Sequence, residues 1–376
     1  MTQPAPAPSD TLPPAPQGQP QAAPQTALVL LNLGGPTSLD DVGPFLHRLL
    51  TDREMVQLPA QRLLGPWIAR MRTATVRRRY AQIGGRSPLS DWTLLQGQHM
   101  ATRLQSLKPS RGPFRPYLAM RHSTPSADDA LRALLRDGCS NAVAFSMYPY
   151  YSDTTTGSSV RDLRRAVERV GASHLSWSVV DRWGDHPAYI TAVIQSIQAA
   201  LDTLPAPLRA DATVILSAHS LPMRVIERGD PYRAEVEASV TAIQSALQHT
   251  APVLLAYQSS VGPVRWLEPS LFGTLAALDP RRVPAVVVCP LGFNCEHIET
   301  LYELDVQAAD VVRRAGIPHF RRACAPNLNP SFLSALAGAA ADSMGCRGCQ
   351  GCGNGCHDAS SGDDHDDHGS STNTHH

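Results

Sequence analysis

The sequence predicts an α/β protein made of two Rossmann-like lobes whose parallel sheets face a shared cleft. Three observations predict this. The strand-like runs are continuous and apolar, as in strands covered on both faces. Each run ends in a short loop and leads into a segment of helical periodicity. The chain of 376 residues has room for two domains of about 150 residues each. One set of strands and helices lies before about residue 184 and the other after it.

Residues 1–25, "MTQPAPAPSDTLPPAPQGQPQAAPQ", lack the basic and apolar regions of a signal peptide and read as a disordered Pro/Ala/Gln tail. The first lobe is expected over 26–183. "TALVLLNLGG" is its first strand, followed by a helix from about Ser38 with Asp40 and Asp41 in the first turn. "GGP" at 34–36 departs from G-x-G-x-x-G and reads as a tight turn, not a nucleotide loop. "NAVAFSMYP" leads through "YYSDTTTGSS" into the helix "VRDLRRAVERVG"; the "TTTGSS" amides suit either an anion or simple capping.

The second lobe is expected over 184–325, with "ATVILSAHSLP" and "VPAVVVCPLGF" as strands. One helix begins beyond "RGDPY", and another is expected over "EHIETLYELDVQAADVVRRAG". Residues 326–345 read as a C-terminal helix, 346–356 as a cysteine cluster, and 357–376 as a polar, disordered tail whose His365 and His368 stand among aspartates.

Lys+Arg and Asp+Glu balance at 33 each, so no global field points to nucleic acid. No apolar run reaches the roughly 18 residues of a spanning helix. A cytoplasmic location follows as the expectation, with Cys139, Cys289, Cys295 and Cys324 as free, mostly buried thiols.

Ligands of open α/β sheets sit beyond the carboxyl ends of the strands. His219 directly follows "TVILSA", and Glu296 and Glu299 follow "AVVVCPLGF", so both groups emerge at one edge. Glu296, Glu299 and Glu303 are spaced to share a helical face. That stripe is either a solvated acidic face or a cleft lining of carboxylates with raised pKa values. One His with carboxylates suits brief handling of a metal rather than storage.

The motifs "SAHSLPMRVIERGDPY", "YQSSVGPVRWLEPSL" and "HIETLYELD", with "LLNLGGPTSLDDVGPFLHRLLTDREMVQLP" and "YPYYSDTTTGSSV", resemble ferrochelatase over about Leu28 to Leu336. The resemblance implies two chelatase-type lobes around a porphyrin cleft, and a lyase that inserts Fe(II) with release of two protons in the terminal step of heme biosynthesis. By similarity His219 is the catalytic imidazole, Glu299 its acidic partner and Glu303 the next carboxylate along the helix; Gln307 stands where relatives carry another. Trp266 and Tyr80 would wall the macrocycle, Arg72 and Ser87 would hold propionates, and Arg121 and Tyr151 would line the cleft. His219 and Glu299 would also meet the substrate iron.

Within 58–73, Leu63, Leu64, Trp67 and Ile68 are flanked by Arg62, Arg70 and Arg72, which suits either a bilayer interface or core packing. The resemblance makes this the apolar lip of the cleft. It implies peripheral contact with the inner face of the cytoplasmic membrane, a hand-over from an upstream porphyrinogen oxidase, and protoporphyrin IX as substrate, with coproporphyrin III as the alternative. Other readings are a non-catalytic two-lobed metal or tetrapyrrole-binding protein and a cobalt chelatase. Cys346, Cys349, Cys352 and Cys356, at C-x2-C-x2-C-x3-C, are a metal signal open to zinc or a cluster. The resemblance implies a 2Fe-2S cluster. Asp153 stands where one branch of the family has a cysteine ligand, so the tail would supply all four.

Overall fold

The computed structural model of the chain describes residues 26–58 and 60–345. The N-terminal tail, the cysteine cluster and the His/Asp tail lie outside the described residues.

The first half carries β1 (Thr26–Asn32), α1 (Val42–Thr51), α2 (Gln61–Gln82), α3 (Leu89–Leu107), β2 (Phe114–Met120), α4 (Ala127–Arg136), β3 (Asn141–Ser146), α5 (Ser158–Val170) and β4 (Ser176–Val180). The second carries α6 (Pro187–Asp202), β5 (Thr213–His219), α7 (Met223–Ile226), α8 (Tyr232–Ala246), β6 (Val253–Gln258), α9 (Leu271–Ala276), β7 (Ala285–Pro290), α10 (Ile298–Leu301), α11 (Ala309–Arg314), β8 (His319–Arg322) and α12 (Pro330–Ser343).

The strands form two four-stranded sheets, ordered β2-β1-β3-β4 and β6-β5-β7-β8. Every pairing is parallel. The two sheets therefore share one plan. In each, the first strand is flanked by the second on one side and the third on the other. The loops leaving β1 and β3, and those leaving β5 and β7, diverge at a switch point, where such sheets open a crevice.

Strands β1, β5 and β7 are buried along almost their whole length, which is why their sequences are unbroken apolar runs. One continuous core joins Leu28, Leu30 and Phe145 of the first sheet to Val214, Leu216 and Val287 of the second. Helix α12 packs on α3 and α6 and brings Phe332 onto Trp183, with ring centroids 5.7 Å apart. Such aromatic pairs contribute about 0.5–1.5 kcal/mol beyond the area they bury. The start of α12 is fixed by Asn329, whose side chain accepts from the amides of Ser331 and Phe332.

Two local expectations are corrected. The first helix starts at Val42, not Ser38, because the Asp41 carboxylate accepts from the Thr37 amide at 3.2 Å and its hydroxyl at 2.8 Å, closing a turn ahead of the helix. The helix expected over 296–316 is broken. After α10, residues Glu303–Ala308 form a π-helical segment, in which the Gln307 amide reaches back to the Tyr302 carbonyl at 3.1 Å. Single π turns gather at functional sites. Here the wide turn lets Glu303 reach Ser259 while Asp305 pairs with Arg322 on β8.

Candidate active site

His219 is the last residue of β5 and Glu299 lies in the first turn of α10, just beyond β7. They flank the switch point of the second sheet. Glu299 Oε2 lies 2.9 Å from His219 Nδ1. The side chains are 40% and 26% exposed, so the pair is anchored in protein yet open to a ligand. With Nδ1 committed to the carboxylate, Nε2 is the ring nitrogen left for chemistry.

Burial alone would lower the His219 pKa, but the charge and hydrogen bond of Glu299 outweigh it and raise the value. Burial alone would raise Glu299; His219, His297 and Ser259 outweigh it and bring its pKa down to about 2. The pair is an ion pair whenever the imidazole is protonated.

Several groups fix this geometry. The Tyr232 hydroxyl donates to the His219 carbonyl at 2.8 Å, and the Ser220 amide donates to the Gln258 carbonyl at 2.8 Å. The Gln258 side chain accepts from Ser217 at 2.7 Å and donates to the Glu299 carbonyl at 2.9 Å. The Glu303 carboxylate accepts from the Ser259 amide at 2.7 Å and its hydroxyl at 2.6 Å. Ser259 takes φ 68° to present both donors. Burial, then the charge of Glu299, raises the Glu303 pKa. Neighbouring carboxylates thus differ in proton affinity, the arrangement expected where protons are accepted and passed on.

The first sheet supplies the opposite wall. Tyr80 on α2 and Tyr148 just beyond β3 have phenol pKa values raised by burial and then by the charge of Glu299. Ile298, at the start of α10, packs on the α1–α2 cluster that contains Tyr80. The two switch points therefore face each other. The turn after β1 is tight. Gly34 has φ +82°, and a Cβ there would lie 2.1 Å from Ser123 Oγ. A Cβ on Gly35 would lie 2.5 Å from Ser87 Cβ. Ser87 is buried against this turn, and its hydroxyl accepts from the Leu89 amide at 3.3 Å.

The remaining sequence-predicted residues fall into two groups. Arg72 is half-buried on α2 and has no carboxylate partner among the described residues. Trp266 pairs across an isolated bridge with Pro222, three residues beyond His219, and its buried indole N–H has no partner among the described residues. Arg121, in contrast, is occupied: it binds Asp52 at 2.8 Å, Glu54 at 3.6 Å, Asp162 at 3.4 Å and the Ser158 carbonyl at 2.9 Å. The Tyr151 amide donates to Glu235 at 2.8 Å, and Arg182 covers its ring at 4.8 Å. The start of the "TTTGSS" loop is capped by the Ser152 hydroxyl, which accepts from the Thr154 amide, and by the distant Asp230 carboxylate, which accepts from the Asp153 amide.

The shared acidic face is also corrected. Glu296 precedes the helix and turns away from Glu299, because Arg322 at 2.7 Å and the Ala325 amide at 2.9 Å hold it. Leu63, Trp67 and Met71 stand out from α2 at 76%, 61% and 64% exposure, whereas Ile68 packs inward. Of the four scattered cysteines, Cys139, Cys289 and Cys295 are buried and Cys324 is exposed. The sequence places His297 in the titratable cluster with Glu296, Glu299 and Glu303 but gives it no role, and it does not single out Tyr148, Gln258 or Ser259 for the site. Position was the available signal, since Ser259 directly follows β6 and Tyr148 stands two residues past β3.

A family model described as ferrochelatase matches residues 25–344. A relative from Gallus gallus is 42% identical, covering 86% of this chain and 82% of its own. One from Homo sapiens is 41% identical, covering 86% and 77%, and one from Drosophila melanogaster is 39% identical, covering 85% and 84%. All three are named "Ferrochelatase, mitochondrial". These names overturn the expectation of a cytoplasmic enzyme at the inner face of the cytoplasmic membrane. The match spans both sheets and the whole His219–Glu299 site: the chain belongs to the ferrochelatase family, enzymes that insert iron into a porphyrin in the terminal step of heme synthesis.

Proposed function

We propose that the cleft between the two switch points takes up protoporphyrin IX and ferrous iron, and that His219 and Glu299 remove the pyrrole protons. The observation that carries this reading is the His219–Glu299 pair, 2.9 Å apart and open to the cleft beside a second carboxylate of raised pKa. The porphyrin loses two N–H protons as its four nitrogens bind Fe(II), so the product is neutral at the metal and two protons must leave. Neutral His219 accepts a proton at Nε2, and Glu299 stabilises the resulting imidazolium through Nδ1–H. Glu303 is the next acceptor, held ready by Ser259. We read the enzyme as a lyase, the class consistent with its family.

Trp266, Tyr80 and Tyr148 wall the flat macrocycle. Arg72 binds a propionate, since a half-buried guanidinium without a carboxylate partner among the described residues is suited to one. Leu63, Trp67 and Met71 dip into a bilayer interface, from which the sparingly soluble porphyrin enters after an upstream porphyrinogen oxidase has formed it. Four thiols within eleven residues at 346–356 form a donor set that fits a 2Fe-2S cluster, which would serve stability or sensing.

The test is anaerobic turnover of ferrous iron with protoporphyrin IX and coproporphyrin III side by side, followed optically. Preference for protoporphyrin supports the substrate reading. Preference for coproporphyrin keeps the chemistry and overturns the substrate, and product from neither overturns both.

A further inference from the structure

Helix α2 contains six arginines and no acidic residue over its 22 residues. Four of them, Arg62, Arg70, Arg77 and Arg78, are exposed. Arg72 and Arg79 are half-buried, and neither has a carboxylate within ion-pair distance among the described residues. Seven residues fall about 20° short of two helical turns, so these two side chains leave the same side of α2, about 10 Å apart along its axis. That side also bears Gly65, Val76 and Tyr80, which are buried. The exposed ridge of Leu63, Trp67 and Met71 lies on the other side.

Arg79 reaches the second lobe. Its guanidinium lies over the Tyr302 ring at 5.3 Å, between α10 and the π segment that holds Glu303. The acids nearest Tyr302 along the chain are engaged elsewhere, Glu299 with His219, Glu303 with Ser259 and Asp305 with Arg322. Burial, and then the positive charge of Arg79, weakens the hold of Arg72 on its proton. Two half-buried cations on one helical face, without a counter-charge, are poised for a ligand with two negative groups.

We infer that Arg79 is a second anion-binding residue of the cleft, which with Arg72 clamps the two carboxylates of a dicarboxylic porphyrin. This rests on the proposed function above and assigns a specificity residue to it. The stacked Tyr302 ring orients the Arg79 fork so that less freedom is lost when a carboxylate binds.

The test measures binding of protoporphyrin IX and its dimethyl ester by fluorescence, for the unaltered protein and for Arg72→Gln and Arg79→Gln. Each variant is expected to weaken binding of the dicarboxylate about tenfold, the size of one charge-assisted hydrogen bond, and to leave the diester unchanged. Arg79→Lys keeps the charge without the fork and should show a smaller loss; it serves if the glutamine variant does not fold. Unchanged dicarboxylate binding in Arg79→Gln, with Arg72→Gln weakened, would overturn the inference and leave the proposed function standing. Equal loss for acid and diester would reduce Arg79 to a packing role and also overturn it. Loss of binding to phosphatidylglycerol vesicles would assign the guanidinium to lipid phosphate instead. An unaltered protein that binds neither porphyrin would overturn the proposed function along with the inference.

Discussion

The two sheets share a strand order, yet their switch points carry different chemistry. Beyond β1 and β3 stand Gly34, Gly35 and Tyr148, with Tyr80 beside them. The turn is too crowded for a side chain at Gly34, and the phenols there are pushed away from neutral titration. At the ends of β5 and β7 stand His219, Glu299 and Glu303, whose pKa values are driven apart by burial and by one another's charge. One plan thus yields a wall in one copy and a proton-handling edge in the other. Topology sets where a ligand sits, and the side chains at strand ends set what happens to it.

This division can be broken most sharply at His219. His219→Ala should lower iron insertion by about 1,000-fold, within the range for loss of a general base, with an unchanged circular dichroism spectrum; near-normal turnover would show that the second edge is not the proton acceptor. Glu303→Gln should cost about tenfold, a smaller loss than at His219 because the first proton acceptor is left in place. Single-turnover rates would reveal this, and a loss equal to that of His219→Ala would place the first acceptor at Glu303. On the other side of the cleft, Tyr148→Phe should change turnover by less than about threefold, because a wall needs the ring and not the hydroxyl. A large loss there would mean that the first edge takes part in proton transfer. Smallest of all, Trp67→Ser with Met71→Ser should shift stability in urea by no more than about 0.5 kcal/mol, as exposed positions do, while reducing co-sedimentation with vesicles. A marked loss of stability would return the ridge to the core.

The sheets were legible because β1, β5 and β7 are buried on both faces and so read as unbroken apolar runs. Their common plan was hidden, since the two halves share topology without a visible sequence repeat. Position placed His219 and Glu299 at one sheet edge, the first ending β5 and the second beyond β7, and their roles came from the family resemblance. The π segment was not, because "ELDVQA" carries an ordinary helical pattern and the widening depends on Ser259 and Arg322, distant in sequence. For the same reason Glu296 looked like a third member of the stripe until Arg322, 26 residues away, was seen to hold it. Arg121 looked free because the acids that occupy it lie on the loop after α1 and on α5.

The central claim is that His219 is the base and Glu299 sets its proton affinity, and the pH profile of kcat/KM for iron insertion tests it most directly. The base is the neutral imidazole, so the rate should fall as pH drops through the raised pKa of His219. In Glu299→Gln the charge that raises that pKa is gone, and the acid limb should move to lower pH with a lower plateau. The same variant should lose stability at neutral pH. In the native pair the carboxylate contribution is complete above the ordinary Glu value of about 4.3, and it is lost only as pH falls through about 2. An acid limb at the same pH in both proteins would contradict the claim, because the titrating group would then not be the imidazole that Glu299 holds.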